Sequence, residues 1–86
     1  MPTFYFDLYN DIVSKDDEGR ELDDIEAAKK CAVEDARNMA AESVREGRLD
    51  LSHYVEVTDV DGASLARVTF GEAVKIVGRK EENGVA

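Results

Sequence analysis

Residues 3–9, TFYFDLY, alternate strictly: Phe4, Phe6 and Leu8 fall on one side and Tyr5, Asp7 and Tyr9 on the other. A period of two built from aromatic and aliphatic residues predicts a half-buried strand. Asn10-Asp11 supplies turn chemistry, and residues 12–15, IVSK, predict a short returning strand whose Lys15 suits a sheet edge. At Ile25 the period changes. Ile25, Ala32, Ala36, Met39, Ala40 and Val44 share one face at 100° per residue, which predicts a helix running to about Glu46. Asp23 is the predicted N-cap, Glu26 would complete a capping box, and Gly47 is the residue past the helix end. The face is mostly alanine, so the helix should lie close on whatever it covers.

HYVEVTDVDGASLARVTF, residues 53–70, predicts a hairpin turning at Asp61-Gly62. Counting outward sets Val57 opposite Ala66, Glu56 opposite Arg67 and Val55 opposite Val68. A slip of one residue would set Val55 against Arg67, so the register is well specified. Gly71 is expected to break the strand, and EAVKIV to form a short helix or a further strand. These elements predict an α+β fold: a mainly antiparallel sheet of three to four strands, with one long helix on one face. The order is ββαββ, with a short C-terminal helix as an option. The Phe4–Tyr9 strand, the most apolar, should be central. Residues 1–78 form a single domain, and residues 79–86 are expected to be a flexible tail.

A chain of 86 residues buries only about 60% of the surface its unfolded form exposes, so its stability is modest and pairing with a second copy would help. A hydrophobic content of 43% is enough for a packed core. No apolar run reaches membrane-helix length, and the first residues carry no signal pattern, so a cytoplasmic protein without membrane contact is expected. The single cysteine, Cys31, allows no internal disulfide and agrees with a reducing compartment. The net charge of −9 opposes a phosphate backbone, and the eleven Lys and Arg are scattered among acids, so nucleic acid is not an expected partner. The same charge would speed association with a basic protein.

The most conspicuous stretch is acidic. DDEGRELDDIE, residues 16–26, holds seven acids in eleven positions. A calcium loop with Gly19 at its sixth position would place Ile25 at the twelfth, where a bidentate acid is needed; with Gly62 at the sixth, Val57 falls at the first. Both fail, and the stretch reads as a solvated turn leading into a helix cap. His53 is the single histidine and has only Cys31 as a possible soft co-ligand, with nothing to bring them together. Ser52 adjoins His53, but strand neighbours point to opposite faces, so the imidazole does not serve that hydroxyl. Cys31 falls roughly 140° from the centre of the apolar helix face, which favours exposure. No catalytic residue, metal ligand or cofactor site is expected.

One surface has character. The sheet face away from the helix should gather Tyr5, Asp7, Tyr9, Tyr54, Glu56 and Arg67, flanked by Thr58 and Thr69. Three tyrosines on an open sheet suit protein contact, whether with a second copy as a homodimer or with a basic protein partner.

FYFDL, DDEGRELDDIEAAKKCAVEDAR, GRLDL and VEVTDVDGASLARVTFGEAV, taken in this order, resemble a family of small uncharacterised bacterial proteins common in rhizobia and their relatives, known as a domain of unknown function. The resemblance spans about Thr3 to Ile76. It implies no activity, cofactor or catalytic residue. A weaker resemblance, through the aromatic first strand, acidic Gly turn and EA helix start, is to antitoxins of the HicB type. It would imply neutralisation of a basic ribonuclease, but the proline-rich segment expected before the helix is absent, Pro2 being the sole proline. The expected function is a non-enzymatic interaction or regulatory module. The alternatives are an antitoxin-like protein and an enzyme working through surface carboxylates.

Overall fold

The computed structural model describes residues 1–78, so the tail expected at 79–86 lies outside the described residues. The elements run β1 (Thr3–Tyr9), β2 (Val13–Ser14), β3 (Arg20–Glu21), α1 (Ile25–Arg45), β4 (Tyr54–Thr58), β5 (Ser64–Thr69) and α2 (Phe70–Ala73). The fold is α+β, with an antiparallel five-stranded sheet in the order β2-β1-β4-β5 and β3 also on β1. The sheet therefore has more strands than the three to four expected. β2 is shorter than the predicted 12–15 strand, and β3 has no apolar alternation to announce it. Both short strands dock on the outer side of β1, β2 at Leu8 and Tyr9 and β3 at Thr3 and Phe4. β1 is thus interior, as its composition predicts.

The core forms where the even-numbered face of β1 meets α1. Phe4 and Phe6 pack with Val55 and Val57 of β4, with Phe70, and with Ala28, Ala32, Ala36 and Ala40. The four alanines recur every fourth residue, so one stripe of α1 meets the sheet. Ala28 belongs to this stripe although the predicted face omitted it. Val44, which the predicted face included, is 57% exposed because the last turn of α1 runs past the sheet. Cys31 is half-buried against the core rather than exposed. Methyl side chains bury little area, so the aromatic rings carry much of the core. Phe70, at 0% exposure, is the largest fully buried side chain.

Helix α1 starts one residue later than predicted. Asp24, not Asp23, is the N-cap: its backbone is extended (φ −160°, ψ 179°), and its carboxylate accepts the Ala27 N–H at 2.9 Å. Ile25 is the residue that must reach the core, and Asp24 is the last position free to stay outside it. Gly47 ends the helix with φ +92°, a conformation that favours glycine.

The β4–β5 hairpin keeps the predicted register, Val55↔Val68, Glu56↔Arg67 and Val57↔Ala66. Its turn is larger than Asp61-Gly62 alone. Asp59 accepts the N–H groups of Asp61 and Ala63, each at 2.9 Å, and Gly62 takes φ +84°. A register shift next to Val57/Thr58 absorbs the extra residue as a bulge. After β5 the chain turns at once into α2, whose capping box joins Thr69 and Glu72. The expected C-terminal helix thus exists, but it begins at Phe70, and Gly71 lies within it.

Candidate functional site

The open face of the sheet carries every residue expected there, in two different conditions. Tyr9 and Tyr54 are direct cross-strand partners. Their rings stack at 4.6 Å between centroids and 14° between planes. The Arg67 guanidinium lies 4.2 Å from the Tyr54 centroid, and the Lys15 ammonium lies 5.3 Å from the Tyr9 centroid. The result is a column, Tyr9–Tyr54–Arg67, in which the aromatic stack is capped by a guanidinium at one end, while Lys15 sits at the hydroxyl end of Tyr9. Lys15 is held further by the Tyr9 hydroxyl at 2.9 Å and the Asp7 carboxylate at 3.3 Å, and both push its ammonium pKa above the ordinary value.

Asp7 does not belong to an open surface. It is 5% exposed, because the chain after β2 folds across it. Its Oδ1 accepts the Asp16 N–H at 2.9 Å, while its Oδ2 meets Lys15. Thr58 is buried too. The predicted face therefore contracts to Tyr5, Tyr9, Tyr54, Glu56, Arg67 and Thr69 at the surface, with Asp7 beneath. Glu56 sits opposite Arg67, but its Oε2 accepts the Ser64 hydroxyl at 2.6 Å. Among the described residues no ion pair involves Arg67, whose donors are held in place by the ring below. A shallow depression of about 380 Å³ adjoins this face, lined by residues that include Tyr5, Asp7, Lys15, Thr58 and Asp59.

The acidic turn has a structural task. Registers on both sides of β1 place the N–H of Phe6 outward, in the gap between β2 and β3. Asp16 fills that gap. Its Oδ2 accepts the Phe6 N–H at 3.0 Å, and its Oδ1 accepts those of Glu18 at 3.0 Å and Gly19 at 3.2 Å. Burial pushes the Asp16 carboxyl up, but the N–H groups of Phe6, Glu18 and Gly19, with Arg20 nearby, outweigh it and hold the group below its usual value. Gly19 takes φ +75°, and a Cβ there would lie 2.7 Å from Thr3 Cγ2. Arg20 then spans the core edge, 4.4 Å over the Phe6 ring, to pair with Asp35 of α1 at 2.9 Å.

A second polar cluster, which sequence reasoning missed, joins the β1–β2 turn to the segment before β4. Arg48 meets Asp11 at 2.9 Å, and His53 Nε2 lies 3.3 Å from Asp50 and 3.5 Å from Asp11. Asp50 is only three positions from His53, but Asp11 lies 37 positions before Arg48, and no local pattern could have brought it to the cluster. The Ser52 hydroxyl donates to Asp50 Oδ1 at 2.6 Å. That hydroxyl, with the Ser52 N–H, holds the Asp50 carboxyl below its usual value. The carboxylate thus stands between serine and imidazole, the wrong order for histidine to take the serine proton. The His53 ring also packs edge-on against Phe70, at 5.6 Å and 78°. No group of three or more metal-ligating side chains is assembled among the described residues, and no helix among them is long and apolar enough to cross a membrane.

The family model described as a domain of unknown function, DUF6894, matches residues 3–71. The chain belongs to this family. The match begins with β1 and ends just after α2 begins, so the DUF6894 unit includes the whole sheet, α1, the tyrosine column and the Asp16 turn. Comparison with curated proteins and with solved structures gave no match.

Proposed function

We propose that this DUF6894 domain is a non-enzymatic protein-interaction module whose working surface is the open sheet face around Tyr9, Tyr54 and Arg67. The observation that carries the reading is the stacked column. Stacking fixes two tyrosines and an arginine in one geometry before any partner arrives, which lowers the ordering cost of binding. Tyrosine and arginine are also the side chains that most often anchor protein interfaces. Both faces of the Tyr54 ring and one face of the Tyr9 ring are engaged within the column, so a partner meets mainly ring edges, hydroxyls and the guanidinium fork. That surface suits a protein carboxylate or backbone carbonyl better than a stacked nucleobase.

The non-enzymatic part rests on how the carboxylates are used. Those drawn out of solvent are saturated by N–H donors or by Lys15, and Asp16 and Asp50 are held low, the opposite of the raised value a general acid requires at neutral pH. A second reading, neutralisation of a basic protein, is favoured by the exposed Asp17, Glu18, Glu21 and Asp23, which make no ion pair among the described residues.

Affinity capture followed by cross-linking discriminates the two. Under the first reading a protein held by the native chain is lost with Arg67→Ala and kept with Lys30→Ala on the exposed side of α1. Capture that survives Arg67→Ala but fails at high salt supports the second reading and refutes the first.

A further inference from the structure

The sheet has two edges, and the chain treats them differently. The outer side of β1 is closed three times over, by β2, by β3 and by the Asp16 carboxylate on the Phe6 N–H between them. Among the described residues the outer side of β5 has none of these. The direction of its backbone groups follows from one contact: Phe70 N–H donates to His53 O at 2.7 Å. Stepping back two residues at a time, Val68 and Ala66 also face β4, opposite Val55 and Val57. Arg67 therefore turns its N–H and C=O away from the sheet. At Thr69 the N–H is already taken by Glu72 Oε1 at 2.9 Å, and as the N-cap of α2 its carbonyl accepts the first helical N–H, so that end of the strand is capped. β5 carries no proline and no lysine, the residues that commonly blunt an edge. Leu65, near its start, is 42% exposed.

We infer that the β5 edge is a self-association site, where a second copy of this chain pairs antiparallel to β5 and extends the sheet across a two-fold axis. The charge distribution selects this occupant. Two chains of −9 repel, and they can approach closely at least cost where acids are missing. Residues 62–71, GASLARVTFG, contain no acid and include Arg67; this is the longest acid-free stretch in a chain with 20 acids. The carboxylates brought to β5 by folding, Glu72 on the Thr69 N–H and Glu56 on the Ser64 hydroxyl, are each hydrogen-bonded within the chain. An antiparallel edge is also self-complementary, since each outward residue offers both a donor and an acceptor. A two-fold axis perpendicular to the sheet puts both α1 helices on one side and both tyrosine columns on the other. The pairing itself does not depend on the proposed interaction role. The doubled face, with two columns on one continuous sheet, does.

Hydrogen exchange on the native chain, read by NMR at millimolar and at micromolar concentration, tests the pairing directly. In the monomer the Arg67 N–H faces water and exchanges fast, while those of Ala66 and Val68 are protected by β4. The expected result is Arg67 protection at high concentration that falls by at least about tenfold on dilution, with Ala66 and Val68 unchanged. Arg67→Pro removes an N–H that the monomer does not use, so it should abolish the dimer in sedimentation velocity while leaving the far-ultraviolet spectrum intact. If Arg67→Pro unfolds the chain, the exchange result decides alone. A chain that stays monomeric at millimolar concentration, or a dimer in which the Arg67 N–H still exchanges fast, overturns the inference. The second outcome, with dissociation by Tyr54→Glu, would place the contact on the tyrosine face and leave the proposed interaction surface standing.

Discussion

Asp16→Ala should be among the most damaging substitutions in the acidic turn, although neighbouring acids look the same in sequence. The Asp16 carboxylate accepts three backbone N–H groups. Two of them, from Glu18 and Gly19, lie in a loop that can turn to water once the carboxylate is gone. The third, from Phe6, points into the gap of the β1 edge beside a buried ring. Removing a charged acceptor from that donor costs about 1.5–3 kcal/mol, and loosening the loop adds roughly 0.5–1 kcal/mol. The total, about 2–4 kcal/mol, is a large share of the roughly 4–13 kcal/mol available to a chain of this length. In urea, with a slope near 1 kcal/mol/M, the midpoint should fall by about 2 M or more. Asp17→Ala, at an exposed neighbour, should stay within about 0.5 kcal/mol of the native chain. Equal small shifts for the two variants would refute the assignment of Asp16 as the plug of the β1 edge.

The same site predicts a pH dependence. The folded Asp16 carboxyl sits below its usual value, so folding favours the ionised form. Its contribution is complete above the unfolded value near ~3.9 and is lost as the pH falls through the lowered folded value. Asp16→Asn keeps one acceptor oxygen but cannot ionise. Native and Asp16→Asn stabilities should therefore converge in acid, separate as the pH rises through the window below the unfolded value of about 3.9, and keep a constant gap from there to neutrality. Parallel curves throughout would show that the carboxylate charge contributes nothing there.

Other substitutions test the rest of the frame. Asp24→Ala should destabilise by about 0.5–2 kcal/mol and Asp23→Ala by much less, read from chemical denaturation; the reverse ranking would move the helix start back by one residue. Phe70→Ala should cost about 3–5 kcal/mol, since the ring is fully buried beneath His53. Ala32→Leu, in the stripe pressed on the sheet, should cost about 1–3 kcal/mol, whereas Val44→Ala at the exposed end of the same helix should fall within about 0.5 kcal/mol. Calorimetric titration with calcium should give no saturable micromolar site at residues 14–25, because Ile25 occupies the twelfth position of that loop.

Periodic signals account for what could be read directly. β1, α1 and the β4–β5 pairing each depend on a repeat of two or 3.6 residues over several turns, and tertiary packing follows such repeats. The 53–70 hairpin could be registered residue by residue, because a slip would bury Arg67. The errors fall where one residue's local choice is decided by distant partners. β2 and β3 have two residues each, too few for a period. Asp23 and Asp24 are equivalent caps by residue type, and the packing of Ile25 chooses between them. Asp7 reads as a surface residue by alternation, yet the turn at 15–19 covers it, and the length of that turn carries no such information. Asp11 likewise joins Arg48, Asp50 and His53 only through the sheet, which brings the first turn beside the start of β4.

The net charge of −9 is the feature that most invites a functional reading, and the structure changes its weight. Many of the acids are backbone acceptors. Asp7 takes the Asp16 N–H, and Asp16 those of Phe6, Glu18 and Gly19. Asp24 takes that of Ala27, Asp50 that of Ser52, and Asp59 those of Asp61 and Ala63. Glu72 takes that of Thr69. Each lies where a turn, an edge gap or a helix start leaves donors without a regular partner, the places at which Asp and Glu close short loops in a small domain. Removing these six carboxylates by thought leaves a formal charge of −3 on the remaining side chains (−9 plus 6). Much of the acidity is therefore explained by folding before any partner is invoked, and a basic partner gains little support from composition alone. The residues that folding does not consume are more telling. Among the described residues Arg67 is stacked but makes no ion pair, and it carries an outward N–H on the edge they leave open. Both the side chain and the backbone of this residue face away from the core, so recognition, of a second copy through the edge or of another protein through the face, converges on β5.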